Sequence, residues 1–173
     1  MKKLLVILFL SFLFSHNAIS QMKYSISKDE FKGNTNHFIT TDSVEPNKPL
    51  SFPYKDTKSE LGVGCKTNNY YWTYIAFNKV NLNDGEIGDG HYSYTLDVKV
   101  GESFHKVVAK KDFGSNVLFF DMWSGDRETM TKLMRLHDEI WVQFNHYQDG
   151  YRFYKYDTKG FSNLFDVNCK NAK

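Results

Sequence analysis

The sequence predicts a mostly β fold, with antiparallel sheets packed in a β-sandwich-like way and one or two short helices. Three observations carry this expectation. Beyond Glu60 apolar residues recur at every second position, helical spacing is confined to two short segments, and aromatic residues make up 17% of the chain, a composition that favours strands.

The elements follow in order. Tyr24 to Ser27 and His37 to Thr41 are short strand candidates within a polar stretch, residues 21–60, that holds all three prolines, Pro46, Pro49 and Pro53, and reads as a connector around Pro46. Leu61 to Lys66 and Tyr70 to Phe77, joined by Thr67, Asn68 and Asn69, form a hairpin. Both faces of its second strand are apolar, Tyr71, Thr73, Ile75 and Phe77 alternating with Tyr70, Trp72, Tyr74 and Ala76, which makes that strand central. A loop rich in Asn, Asp and Gly runs from Asn78 to Gly90. Tyr92, Tyr94, Leu96, Val98 and Val100 then alternate with polar residues as a half-buried strand. Gly101 and Glu102 turn the chain into Phe104 to Lys110, and Val117 to Phe120 reads as a further strand. Asp126 is a candidate N-cap for a helix carrying Met130, Leu133, Met134 and His137. Ile140, Val142 and Phe144 alternate with Trp141, Gln143 and Asn145. Asp149 and Gly150 then lead into Tyr151 to Tyr156, and Phe161, Leu164, Phe165 and Asn168 suggest a final helical turn.

Residues 1–20 read as a secretory signal: Lys2 and Lys3, the uncharged run Leu4 to Phe14, then a polar stretch with Ala18 and Ser20 ahead of a cut at Gln21. A run of 11 residues falls short of the roughly 20 that a bilayer core requires, so no stable membrane span is expected after cleavage. The competing reading is an apolar helix retained in the fold. Export implies a periplasmic or secreted protein whose main β-rich domain spans residues 61–173, preceded by N-terminal strands and a Pro-containing connector in residues 21–60.

Lys2 and Lys3 account for the whole charge excess, leaving 20 basic against 20 acidic residues in the exported part. A neutral domain lacks the clustered cations that nucleic acid demands. Lys106, Lys110 and Lys111 read as a solvated strand edge.

Cys65 and Cys169 are the only cysteines and both lie in the exported part, where an even count reads as a disulfide. A metal site and a reactive thiol compete with that reading, although neither cysteine has a second ligand at metal-binding spacing.

No pair of histidines flanks a glutamate at helical spacing, and Ser124 lies in Trp123, Ser124, Gly125, Asp126 rather than on a nucleophile turn, so no enzymatic motif and no cofactor are expected. Asn81, Asn83, Asp84, Glu86 and Asp89 offer oxygen donors for Ca²⁺. Their order departs from an EF-hand, and a solvated turn competes with the metal reading. Tyr70, Trp72, Tyr74, Trp123, Trp141 and Tyr154 are candidates for a sugar- or peptide-binding surface; cross-strand packing in the core is the alternative.

The leader, the strand bearing Cys65, the run Tyr71 to Phe77, the turn Trp123 to Asp126 and the ending Phe153 to Cys169 together resemble small exported bacterial proteins of the type VI secretion accessory class. The resemblance implies an exported, disulfide-bonded β-sandwich-like domain that binds an envelope protein, and it carries over no site residue. An inhibitor or immunity factor against an envelope-directed enzyme or phage, with the loop Asn78 to Gly90 as a plug, is the alternative expectation.

Overall fold

The computed structural model describes residues 22–30, 33–66 and 70–169. Residues 1–20, read above as a signal, and Thr67 to Asn69, read as the hairpin connection, lie outside the described residues. Ten strands form one antiparallel sheet: β1 (Lys23–Asp29), β2 (Asn34–Thr40), β3 (Ser59–Lys66), β4 (Tyr71–Phe77), β5 (Glu86–Ile87), β6 (His91–Val100), β7 (Ser103–Asp112), β8 (Val117–Phe120), β9 (Glu139–His146) and β10 (Gly150–Asp157). The order across the sheet is β1-β2-β3-β4-β8-β7-β6-β9-β10, with β5 paired to β6. The described residues also form two short helices, α1 (Asp126–Leu136) and α2 (Phe161–Asn168).

The sheet bends over its own inner face, giving the β-sandwich-like packing expected from the sequence. Ser59 Oγ on β3 and Tyr156 OH on β10 lie 2.6 Å apart in a buried hydrogen bond, although these strands are distant in the sheet order. Between them packs a cluster of rings: Phe77 lies 5.2 Å from Phe144 and 5.6 Å from Tyr154, both edge to face. α1 covers this core with Met130, Leu133 and Met134, and its Thr131 shares a 2.7 Å hydrogen bond with Thr73 of β4. Among the described residues no helix is long and apolar enough to cross a membrane.

Several elements differ from expectation for local reasons. β1 and β2 fall at the two short strands expected around Tyr24 to Ser27 and His37 to Thr41 and extend the same sheet as β3, while the Pro-containing segment after Thr41 is irregular. That segment lies along the edge of β10, where the Asn47 amide N–H donates to Phe153 O at 3.0 Å and Asn47 Oδ1 accepts the Phe153 N–H at 3.1 Å. The loop 78–90 includes β5. The residue capping α1 is Gly125, at φ 80°, not Asp126, which lies in the first turn together with Glu128; both carboxylates favour the positive end of the helix dipole there. His137 ends the helix instead of joining its buried face. β7 lies between β8 and β6, so Lys106, Lys110 and Lys111 are not an outer strand edge. Lys111 is in fact buried, its ammonium donating to Ser115 O at 3.0 Å and lying 5.5 Å over the Tyr92 ring.

At the inner end of β9, His146 is 2% exposed and its Nε2 lies 3.1 Å from Tyr154 OH. Burial lowers its pKa from the ordinary 6.5 to about 4, so the native state holds the ring neutral while the unfolded chain takes up a proton. The resulting stability is fully present above pH 6.5 and is lost as the pH falls toward about 4. The expected loss across that window is about 3 kcal/mol. Urea unfolding of the wild type and of His146→Gln at pH 7 and at about pH 4.5 checks this. Equal pH dependence in the two proteins excludes His146 as the source.

Candidate binding cleft

The outer face of β2, β3, β4 and β8 carries an aromatic platform, and its geometry begins with two glycines. Along β3, Leu61, Val63 and Cys65 point inward, which turns Gly62 and Gly64 outward. Register sets Gly64 between Phe38 and Trp72, and Gly62 between Thr40 and Tyr74. A Cβ on Gly64 would stand 2.3 Å from the Trp72 ring, and one on Gly62 would stand 2.8 Å from the Tyr74 ring. Both rings therefore rest directly on the β3 backbone, the close approach that a glycine within a strand allows. Phe38 meets Trp72 edge-on at 5.9 Å, Tyr70 lies 6.0 Å from it, and Phe119 of β8 lies 6.3 Å from Tyr74.

The turn after β8 makes the opposite wall. Asp121 organises it: its backbone O accepts the N–H groups of Asp126 and Arg127, each at 3.1 Å, and its Oδ1 accepts the Trp123 N–H at 3.1 Å. Its Oδ2 pairs with Lys110 at 3.0 Å. Burial works against ionisation of this carboxyl, but Lys110 and the Trp123 amide outweigh it and hold the pKa below the usual carboxylate range. The turn thus has a fixed backbone and presents Trp123 with 86% of its surface exposed. Ser124 Oγ donates to the Asp126 carboxylate within the same turn. Arg127 closes the end of the cleft, with Nη1 donating to Tyr71 O at 3.0 Å and Nη2 paired with Glu128.

The open cleft has a volume of about 700 Å³ and is lined by aromatic rings and by the charged groups Lys66, Lys110, Asp121 and Arg127. Such a surface suits stacking and charge-assisted contacts with a bound chain.

Of the residues singled out in the sequence, Tyr70, Trp72 and Trp123 line this cleft, and Tyr74, 8% exposed, supports its floor. Trp141 lies elsewhere, on the outer face of β9, stacked on Phe153 at 4.8 Å with Lys99 and Lys155 near its ring. Tyr154 is a correction: it is fully buried in the ring cluster and belongs to the core, because the inward face of β10 is the one bearing Tyr154 and Tyr156. The oxygen donors of the 78–90 loop do not converge. Asp84 accepts from Asn145 Nδ2, Asn83 is tied to β9 through its N–H to Asn145 O, Glu86 sits exposed in β5, and Asp89 offers its backbone oxygen to His91. Among the described residues no group of three or more His, Cys, Asp or Glu could hold a metal ion.

Phe38, Lys66, Lys110, Phe119, Asp121 and Arg127 were missed as site residues from sequence. The alternating glycines opposite Trp72 and Tyr74 mark the platform itself, because a strand glycine allows a close approach by another group, but they do not point to Lys110, Phe119, Asp121 or Arg127. No protein-family model, no curated protein and no solved structure matches the chain.

Proposed function

We propose that this chain is an exported, non-enzymatic envelope protein that binds a protein partner through the aromatic cleft, in a secretion-accessory role of the kind its sequence resembles. The observation carrying this reading is Trp123, held on a hydrogen-bonded turn yet 86% exposed opposite the Trp72 platform. An exposed indole on a fixed backbone contributes nothing to the core, and tryptophan is the residue type most enriched among interface anchors. The disulfide between Cys65 and Cys169 agrees with an oxidising compartment.

The inhibitor reading needs the 78–90 loop to project as a plug. It has less support, because β5 pairs with β6 and the Asn81 carbonyl accepts the Tyr147 N–H at 3.0 Å, which ties the loop to the sheet.

The test is retention of an envelope protein by the immobilised chain. Trp123→Ala should weaken retention about 30-fold, the effect of losing an anchor worth about 2 kcal/mol. Gly64→Ala, which pushes the Trp72 ring off its bed, should weaken it as well. Retention that survives both substitutions unchanged excludes the cleft as the binding surface.

A further inference from the structure

We infer that the segment the cleft takes is an acidic, extended stretch of polypeptide with apolar side chains at alternate positions; this rests on the cleft being the binding surface. The exported part of the chain is charge-balanced, with 20 basic and 20 acidic residues once Lys2 and Lys3 are set aside. The cleft is not balanced: Lys66, Lys110 and Arg127 line it against Asp121 alone.

Two of those cations are already engaged, Lys110 with Asp121 and Arg127 with Glu128 and the Tyr71 carbonyl. Lys66 forms no ion pair or side-chain hydrogen bond with any described residue, so one positive charge at the platform's edge is left for a ligand carboxylate. Opposite Lys66 in the register is Asn36, whose Oδ1 is buried without a hydrogen-bond partner. A carbonyl oxygen left in that state is an acceptor for an incoming N–H, and a peptide backbone supplies one at every residue.

Dimensions agree with an extended occupant. The platform from β2 to β8 spans three strand spacings, roughly 14 Å, which matches about four residues of extended chain. Alternation follows from the same geometry: in an extended segment successive side chains point to opposite sides, so apolar groups reach Trp72 and Trp123 while carboxylates at the other positions reach Lys66 at the cleft margin. A neutral glycan could stack on the same rings, but it would leave Lys66 without a counter-charge.

The experiment uses the chain expressed from its full sequence and purified from the cell envelope, titrated at low salt with fluorescently labelled acetyl-Glu-Phe-Glu-Phe-amide, its Lys-Phe-Lys-Phe counterpart, and chitotetraose as the neutral sugar. The acidic peptide should bind about tenfold more tightly than the basic one, a preference that shrinks as salt screens it. Lys66→Gln should remove most of this preference and Lys66→Glu should reverse it, each with an unchanged melting temperature. Equal affinity for the two peptides, binding of the sugar alone, binding of no probe, or a preference indifferent to Lys66 overturns the inference. If any of these occurs while Trp123→Ala still weakens retention of the envelope partner, the acidic segment is refuted and the cleft stands. If Trp123→Ala leaves retention intact, the cleft reading falls too.

Discussion

Replacing both Cys65 and Cys169 with alanine is expected to lower the melting temperature by about 10 to 15 °C. The bridge joins residues 104 apart in sequence, connecting the end of β3 to the residue that ends α2. In the chain-entropy account, closing a loop of that length removes about 4 to 5 kcal/mol of unfolded-state freedom, near the upper end of what disulfides contribute. Both sulfurs are buried, Cys65 fully and Cys169 at 3% exposure, so the substitution also leaves unfilled space beneath α2. The contacts that remain for α2 are few: Phe165 edge-on to Tyr71 at 5.6 Å, the Arg135 to Asp166 ion pair at 2.8 Å, and buried Phe161. The ion pair is half exposed and adds little. Thermal unfolding followed by circular dichroism measures the effect. The wild type should show no titratable thiol when denatured without reductant. A shift below about 3 °C would mean that α2 and β3 are held by packing alone.

The loss should also be local in character. Amide exchange in α2 ought to rise far more than in β6 or β9, because the C-terminal helix is joined to the sheet by the bridge and a handful of rings, whereas β6 is paired on both sides by β7 and β9. A uniform rise across the sheet would point to global destabilisation instead.

Legibility from sequence followed physical rules that differ from element to element. Period two with one polar face was decisive for β6, where Tyr94, Leu96, Val98 and Val100 are buried and Thr95 is exposed. β8 matched its expected bounds, Val117 to Phe120, because Gly114 and Ser115 break the chain before it. In β10 the pattern was ambiguous. Tyr151 and Phe153 fall on one face and Tyr154 and Tyr156 on the other, so alternation alone does not say which face is wet, and only the packing of Phe77 and Phe144 settles it. The cleft was legible in its tyrosines and tryptophans but not in its outline. Its remaining walls come from β2, β7, β8 and α1, strands and a helix whose adjacency depends on the crossover from β4 to β8, which no local pattern records. The helix cap was misplaced for a similar reason. Asp126 has the right chemistry for an N-cap, yet the tight turn anchored on Asp121 needs a positive φ one residue earlier, and Gly125 supplies it.

Tyr154 provides the second large effect, because its assignment to the core has a consequence opposite to that of a surface ring. Tyr154→Ala should destabilise the fold by about 3 to 5 kcal/mol, the range for removing a fully buried aromatic side chain. The ring contacts Phe77 and Phe144, each at 5.6 Å, lies 5.8 Å from His146 and stacks along Tyr156 at 6.5 Å, so its loss opens a void that these four rings border. Tyr154→Phe isolates the hydroxyl: the cavity stays filled and only the 3.1 Å contact with His146 Nε2 is lost, at a cost of about 1 kcal/mol. Urea unfolding at pH 7 distinguishes the two, and the retention assay supplies the contrast, since Tyr154→Phe should leave partner binding unchanged while Trp123→Ala weakens binding about 30-fold with little change in stability. Were Tyr154→Ala to cost less than about 1 kcal/mol, β10 would have to present that ring to solvent and the bend of the sheet that brings Tyr156 to Ser59 would be wrong.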